Sequence, residues 1–305
     1  MVETRDPALE TLDAIPLLTA RPRTVEELSG GLTNRNLKVG VPDGTYVARC
    51  GRSDTALLGI DRDAEHLNTR AAERAGVGAT VHGYYPDLGV LVIGFIDGIT
   101  YENPTFQNDG IVARAAHACR RLHEGPAFVN EFNMFTRQRR YLSIVRERGF
   151  ALPPGYEQFT DHFARIEAAL AARPTRLVPC NNDLLAGNFV DDGDKLWLID
   201  YEYSGNNDAC FELGNISTEC DLTSDQLEEL VTTYFDRPLH SKIARTQVQA
   251  IVSQYGWSLW GAIQDATSPL EFDFHDWCMQ RYERAAAAFT SDSFSTLLDE
   301  VQRDD

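Results

Sequence analysis

An α+β fold in two lobes, a small antiparallel sheet followed by a mainly helical part, is what the 305-residue sequence predicts. Three observations carry this. Short β-type segments joined by tight turns run from Thr24 to Cys50, a single helix and one apolar strand follow, and beyond Gly98 the apolar residues recur at helical spacing. In order, a helix-like stretch runs from Ala8 to Leu18, and Thr24–Leu28, Leu37–Val39 and Tyr46–Cys50 read as strands. Gly30-Gly31 turns between the first two, and Pro42-Asp43-Gly44 is a strong hairpin signal for the others. Asp61 to Ala75 places Ala64, Leu67, Ala71, Ala72 and Ala75 on one helical face and stops at Gly76. Val90–Phe95 is a strand ending at Asp97-Gly98. Helices are then expected from Ile111, Ala115, Cys119 and Leu122, and from Phe159, Phe163, Ile166 and Leu170, with Pro153-Pro154-Gly155 as a loop. The expected lobes are residues 1–96 and 97–305.

The charge balance, 28 Lys+Arg against 46 Asp+Glu for a net of −18, opposes any broad basic surface, so no nucleic acid is expected as a partner. It would draw in a cation, although solubility alone also accounts for it. The six cysteines are scattered with no CxxC pair and no zinc-type spacing, which predicts reduced thiols. No run of about 18 apolar residues occurs, and no apolar segment follows Met1–Arg5. A soluble, cytoplasmic protein without a membrane partner is expected, as monomer or homodimer.

Residues 178–189 contain Asp183 and, five positions on, Asn188; Asp200 follows a strand, a turn at Asp191-Asp192-Gly193 and a second strand, Lys195–Ile199. Folding that hairpin brings Asn188 and Asp200 into one neighbourhood, with Asp183 on the loop leading in. Asp and Asn at such spacing often only cap and turn a loop. With Asp200 presented at the end of the apolar strand Leu196-Trp197-Leu198-Ile199, the set suits phosphoryl transfer. That chemistry needs a carboxylate to take the hydroxyl proton, and oxygen ligands for the magnesium ions on the ATP phosphates.

These residues resemble the choline/ethanolamine kinase family, within the wider group that includes the aminoglycoside phosphotransferases. The likeness spans roughly Leu28 to Ala288 and rests on Asn181-Asn182-Asp183…Asn188-Phe189 and Ile199-Asp200-Tyr201-Glu202-Tyr203. It implies a protein-kinase-like fold, with Asp183 as catalytic base and Asn188 and Asp200 as Mg²⁺ ligands. The family's usual His two before the base is Asn181 here, a change that keeps hydrogen-bonding capacity. Glu212 stands where many members carry Asp and is read as a brace of the catalytic region.

Ser29-Gly30-Gly31-Leu32-Thr33-Asn34 lies between two expected strands. Paired glycines let backbone N–H groups approach phosphates, and they equally make an ordinary hairpin turn. By the resemblance this is the phosphate-covering loop, so Gly30, Gly31, Thr33 and Asn34 are expected at ATP. Arg49 is similarly matched to the phosphate-gripping position of the third strand, with Glu65 as its helix partner. The alternative for both is a solvated surface charge. Val92–Ile96, ending in Phe95 and Ile96, would be the hinge over the adenine.

Trp257 and Trp260 are neighbours on one helix face, and with Trp277 they put three of the four tryptophans within twenty-one residues. Such a pair is equally a core contact or a wall for a quaternary ammonium. The resemblance favours the wall, with Glu219 facing the ammonium group, Trp277 in a tyrosine's place, and Glu202 and Tyr203 contributing to the same acceptor end. Aromatic faces with one carboxylate favour choline over ethanolamine. The sequence therefore predicts a small-molecule kinase using ATP and Mg²⁺ on a small cationic alcohol. An ethanolamine or aminoglycoside-like phosphotransferase, or a non-catalytic pseudokinase, remain as alternatives.

Overall fold

The computed structural model describes residues 7–51 and 53–304. Helix α1 (Pro7–Asp13) gives way to a separate 3₁₀ turn at Pro16–Leu18, where the sequence suggested one continuous stretch. Pro16 has no N–H to continue the ladder. Leu12, Ile15 and Leu18 are fully buried against one face of the sheet, where they meet Leu37, Val39, Ala48 and Val92. That sheet comprises β1 (Thr24–Leu28), β2 (Asn34–Val41) and β3 (Gly44–Gly51), then, after helix α2 (Arg62–Arg74), β4 (Val81–Tyr85) and β5 (Val90–Gly94). Its order is β1-β2-β3-β5-β4, antiparallel throughout, and the Pro42-Asp43 turn sets Val41 opposite Gly44.

Helix α2 starts where Asp61 accepts a hydrogen bond from Ala64 N at 3.0 Å. Its buried face differs from the expected one. Leu67 is 44% exposed, and Glu65, Asn68 and Thr69 are buried beside Ala64, Ala71 and Ala72. The reason is that α2 faces both lobes. Ala71 and Ala72 join the core of the helical lobe, while Asn68 donates to Asn130 Oδ1 (2.8 Å) and Ser204 Oγ (3.0 Å).

The helical lobe follows with β6 (Ile99–Thr100), α3 (Ile111–His123), α4 (Met134–Arg148), α5 (Thr160–Ala172), β7 (Val178–Cys180), β8 (Phe189–Asp191), β9 (Leu196–Leu198) and β10 (Gly205–Asn207). Then come α6 (Ala209–Glu219), α7 (Ser224–Phe235), α8 (His240–Thr267), α9 (Phe274–Phe289) and α10 (Phe294–Glu300). The expected hairpin forms as β8–β9, with β6 added to its edge; β7 pairs with β10. Helix α8 is the axis of this lobe: it is buried on nearly every side from Ala244 to Gln264 and packs against α4, α6 and α9. A helix buried on every side must have its polar side chains met inside the bundle, as Arg245 is by Asp208 and Ser253 by Asn215. A Cβ at Gly261 would lie 2.8 Å from Trp277 Cε3 and 3.1 Å from Cys278 Cα, so this glycine sets the approach of α9 to α8. Among the described residues no helix is long and apolar enough to cross a membrane.

Candidate active site

The loop from β7 to β8 carries Asp183, and its shape is held from three directions. Glu212, at the start of α6, accepts from Asn181 N (2.8 Å) and Asn182 N (2.5 Å). Asn181 donates through Nδ2 to Ile199 O (3.0 Å) and Asp200 O (2.8 Å), and its Oδ1 accepts from Asp183 N at 3.1 Å. Asn182 adopts a left-handed φ of 70° and donates to Cys180 O and Tyr203 O, at 3.2 and 3.1 Å. A non-glycine residue holds that conformation only where its surroundings over-determine it. Asn181 thus ties the Asp183 loop to the end of the hairpin. His123 and Cys180 lie beside Glu212, completing a buried cluster in which both Glu212 oxygens already serve the loop.

Asp183, Asn188 and Asp200 are brought together in one cavity. Asn188 Nδ2 donates to Asp183 O at 2.7 Å, which leaves its amide oxygen as a donor atom for a ligand. Asp200 takes a left-handed φ of 64° immediately after β9. Among the described residues none hydrogen-bonds the Asp183 carboxylate. Desolvation, then the negative charges of Asp200, Glu202 and Glu219, push its carboxyl well above the usual aspartate range, with Arg281 opposing.

A chain of ion pairs links this floor to the sheet. Arg49, on β3, bonds Asp200 Oδ1 (2.5 Å) and Glu65 Oε1 (3.1 Å). Burial desolvates the guanidinium, and Asp200, Glu65 and Glu202 together more than offset this and hold it charged. Arg62 bridges Glu65 Oε2 (2.6 Å) and Glu202 Oε2 (3.3 Å). Glu202 in turn accepts from Thr33 Oγ1 (2.7 Å) and Asn34 Nδ2 (2.8 Å), which fastens the glycine loop to the hairpin's end. Desolvation and the charges of Asp200 and Glu65 push the Glu202 carboxyl up to about 7. Gly31 closes the loop tightly, since a Cβ there would sit 2.3 Å from Asn34 O.

Two cavities flank this network. The first, about 590 Å³ including its mouth, is lined by Gly30, Thr33, Asp183, Asn188, Asp200, Glu202, Tyr203 and Glu219, with Trp257, Trp260 and Trp277 as its aromatic wall. The two α8 tryptophans prove to be both things the sequence allowed: 3% and 5% exposed, in the core cluster, and facing the cavity. Trp260 Nε1 donates to Tyr203 Oη (2.7 Å) and Trp257 Nε1 to Asn215 Oδ1 (3.2 Å); Trp260 and Trp277 have centroids 5.0 Å apart. The second cavity, about 1210 Å³ with its mouth, lies between the sheet and the β8–β9 hairpin. Val47, Arg49, Ile93, Phe95 and Ile96 line it from one side, Val190 and Ile199 from the other. Three contributors escaped the sequence reading: Arg62, Asn215 and Arg281. Two of them had a local signal: Arg281, four residues after Trp277 on α9, and Arg62, three residues before Glu65 on α2.

A glycine loop over a slot between a five-stranded sheet and a helical lobe, with Asn188 and Asp200 at the open end of a hairpin beneath it and Asp183 on the loop leading in, defines a phosphotransferase of kinase-like fold. Residues 25–234 match the choline/ethanolamine kinase profile, and the chain belongs to that family. It is accordingly an ATP-dependent phosphotransferase acting on an alcohol. The crystal structure of a choline/ethanolamine kinase family protein from Mesorhizobium loti superposes with a TM-score of 0.86 at 33% identity, over 97% of this chain and 98% of that one. Choline kinase LicA from Streptococcus pneumoniae gives 0.75 at 25% identity, over 87% and 93%. A probable ethanolamine kinase from Arabidopsis thaliana is 26% identical over 85% of this chain and 78% of its own length.

Proposed function

We propose that the chain transfers the γ-phosphoryl group of ATP to the hydroxyl of choline. The observation that carries this is the cavity in which the Asp183 carboxylate, hydrogen-bonded by none of the described residues, faces a wall of Trp257, Trp260, Trp277 and Tyr203. Indole faces attract a methylated ammonium, which cannot use hydrogen-bond acceptors. Held there, choline presents its hydroxyl to Asp183, which accepts the proton as the oxygen attacks; the raised affinity of that carboxyl for a proton suits a base. The adenine would lie in the second cavity along Phe95 and Ile96, with the phosphates under Gly30 and Gly31 and gripped by Arg49, which Glu65 orients. Thr33 and Asn34 act there by holding the loop to Glu202. Asn188 and Asp200 offer hard oxygen donors and would hold Mg²⁺, which when bound neutralises phosphate charge. Most of the rate then comes from positioning. Ethanolamine is the second reading, favoured by the net negative charge that Asp183, Asp200, Glu202 and Glu219 give the same cavity, which would attract a primary ammonium.

The test is ADP release with Mg²⁺–ATP against choline, dimethylaminoethanol, ethanolamine and one aminoglycoside. The expected order is a fall in kcat/KM as methyl groups are removed. A rise in that direction selects ethanolamine, and no turnover with any of them overturns the acceptor assignment.

A further inference from the structure

One carboxylate of the cavity's acidic lining is already paired from within the chain. Arg281, on α9, forks onto Glu219: Nε donates to Oε1 at 3.0 Å and Nη2 donates to Oε2. Its remaining terminal nitrogen, Nη1, donates to Trp277 O at 3.2 Å. The same guanidinium lies on the Trp277 ring, its central carbon 3.3 Å from the centroid. Both Glu219 and Trp277 line the cavity beside Asp183, and both are largely buried or half-buried there. One residue therefore engages both a carboxylate and an indole that line the cavity, using the same two attractions by which they would recognise an ammonium ion.

We infer that Arg281 is a specificity-determining residue: an internal cation that neutralises Glu219 and covers a face of Trp277, and so lowers the site's preference for a positively charged acceptor. The charge of the Glu219–Arg281 pair sums to zero, and a quadrupole already holding one cation attracts a second less. Selectivity for the methylated group then rests on the shape of the Trp257, Trp260 and Tyr203 faces more than on charge. The inference depends on the proposed reading of this cavity as the acceptor site.

The test compares choline with 3,3-dimethylbutan-1-ol, its uncharged isostere of nearly the same shape, through the ratio of their kcat/KM values. Arg281→Met keeps the apolar stem against the indole and removes the charge. Arg281→Gln is the second neutral variant, retaining an N–H donor for Glu219 should the first not fold. In both, the ratio is expected to move toward choline by about tenfold, the equivalent of about 1.4 kcal/mol. Arg281→Lys, which keeps a charge but cannot fork, should leave the ratio near that of the unaltered chain. A purely structural role would depress both acceptors together and leave the ratio unmoved in every variant; that result, or a shift away from choline, overturns the inference. Failure of the unaltered chain to phosphorylate either alcohol would overturn the acceptor reading itself, whereas turnover with an unmoved ratio overturns only the role of Arg281.

Discussion

At Asp183, desolvation and the charges of Asp200, Glu202 and Glu219 favour the protonated carboxyl, so the ionised form suited to catalysis is also the one the fold tolerates least. Because the folded value lies above the unfolded one, the folded state binds more protons in between, and this residue's contribution to stability falls as pH rises through that window. Asp183→Asn removes the charge. It is expected to melt higher than the unaltered chain at pH 8, to lose that advantage toward pH 4, and to reduce kcat by about 10³; melting curves at the two pH values and ADP release check both halves. At the wall, Trp260→Leu retains apolar packing but loses the indole face and the hydrogen bond to Tyr203. It should raise the choline KM about tenfold, from roughly 1–2 kcal/mol of lost cation–π attraction, with the ATP KM little changed. The residues legible in the sequence were those within short motifs, Asp183 to Asn188 or Trp257 to Trp260. The ties from Glu202 to Arg62, Thr33 and Asn34 were not, since those partners lie more than a hundred residues from it and nothing local marks the pairing.

Elements were legible where turn chemistry or a long apolar period fixed them. The β2–β3 and β8–β9 hairpins announce themselves through Pro42-Asp43-Gly44 and Asp191-Asp192-Gly193, and α3 and α5 through their periodic apolar residues. Strand β4 was missed because Val81-His82-Gly83-Tyr84-Tyr85 has a glycine and a bulge where alternation should be. The buried face of α2 was misjudged at Leu67 because polar partners from the other lobe, and not a purely apolar core, cover that helix. The α8–α9 contact gives the element-scale prediction. Gly261→Ala places a methyl group against Trp277 and the Cys278 backbone, so α9 must move outward. The acceptor KM should rise several-fold and the melting temperature drop, while the ATP KM holds; a KM for acceptor that stays put would show that α9 does not set this wall.

Across the whole molecule, the two lobes are joined at the site by alternating charges: Asp200, Arg49, Glu65, Arg62 and Glu202, ending on Thr33 and Asn34. Glu202→Ala cuts the last link and leaves Arg62 with Glu65 alone. The expected result is an ATP KM raised by about tenfold and a lower melting temperature, since removing one member of a buried charge network costs about 3–5 kcal/mol. Added salt to 0.5 M should not reproduce the effect, because buried pairs are little screened.

The family match stops at residue 234, and the helices bearing Trp257, Trp260, Trp277 and Arg281 come after it. On the proposed reading the acceptor cavity is shared between the two stretches: Tyr203 and Glu219 come before residue 234, Trp257, Trp260 and Trp277 after it. A chimera that takes its residues beyond 234 from a relative therefore exchanges the tryptophan faces and keeps the carboxylates, and its acceptor preference should move part of the way toward the donor of the tail.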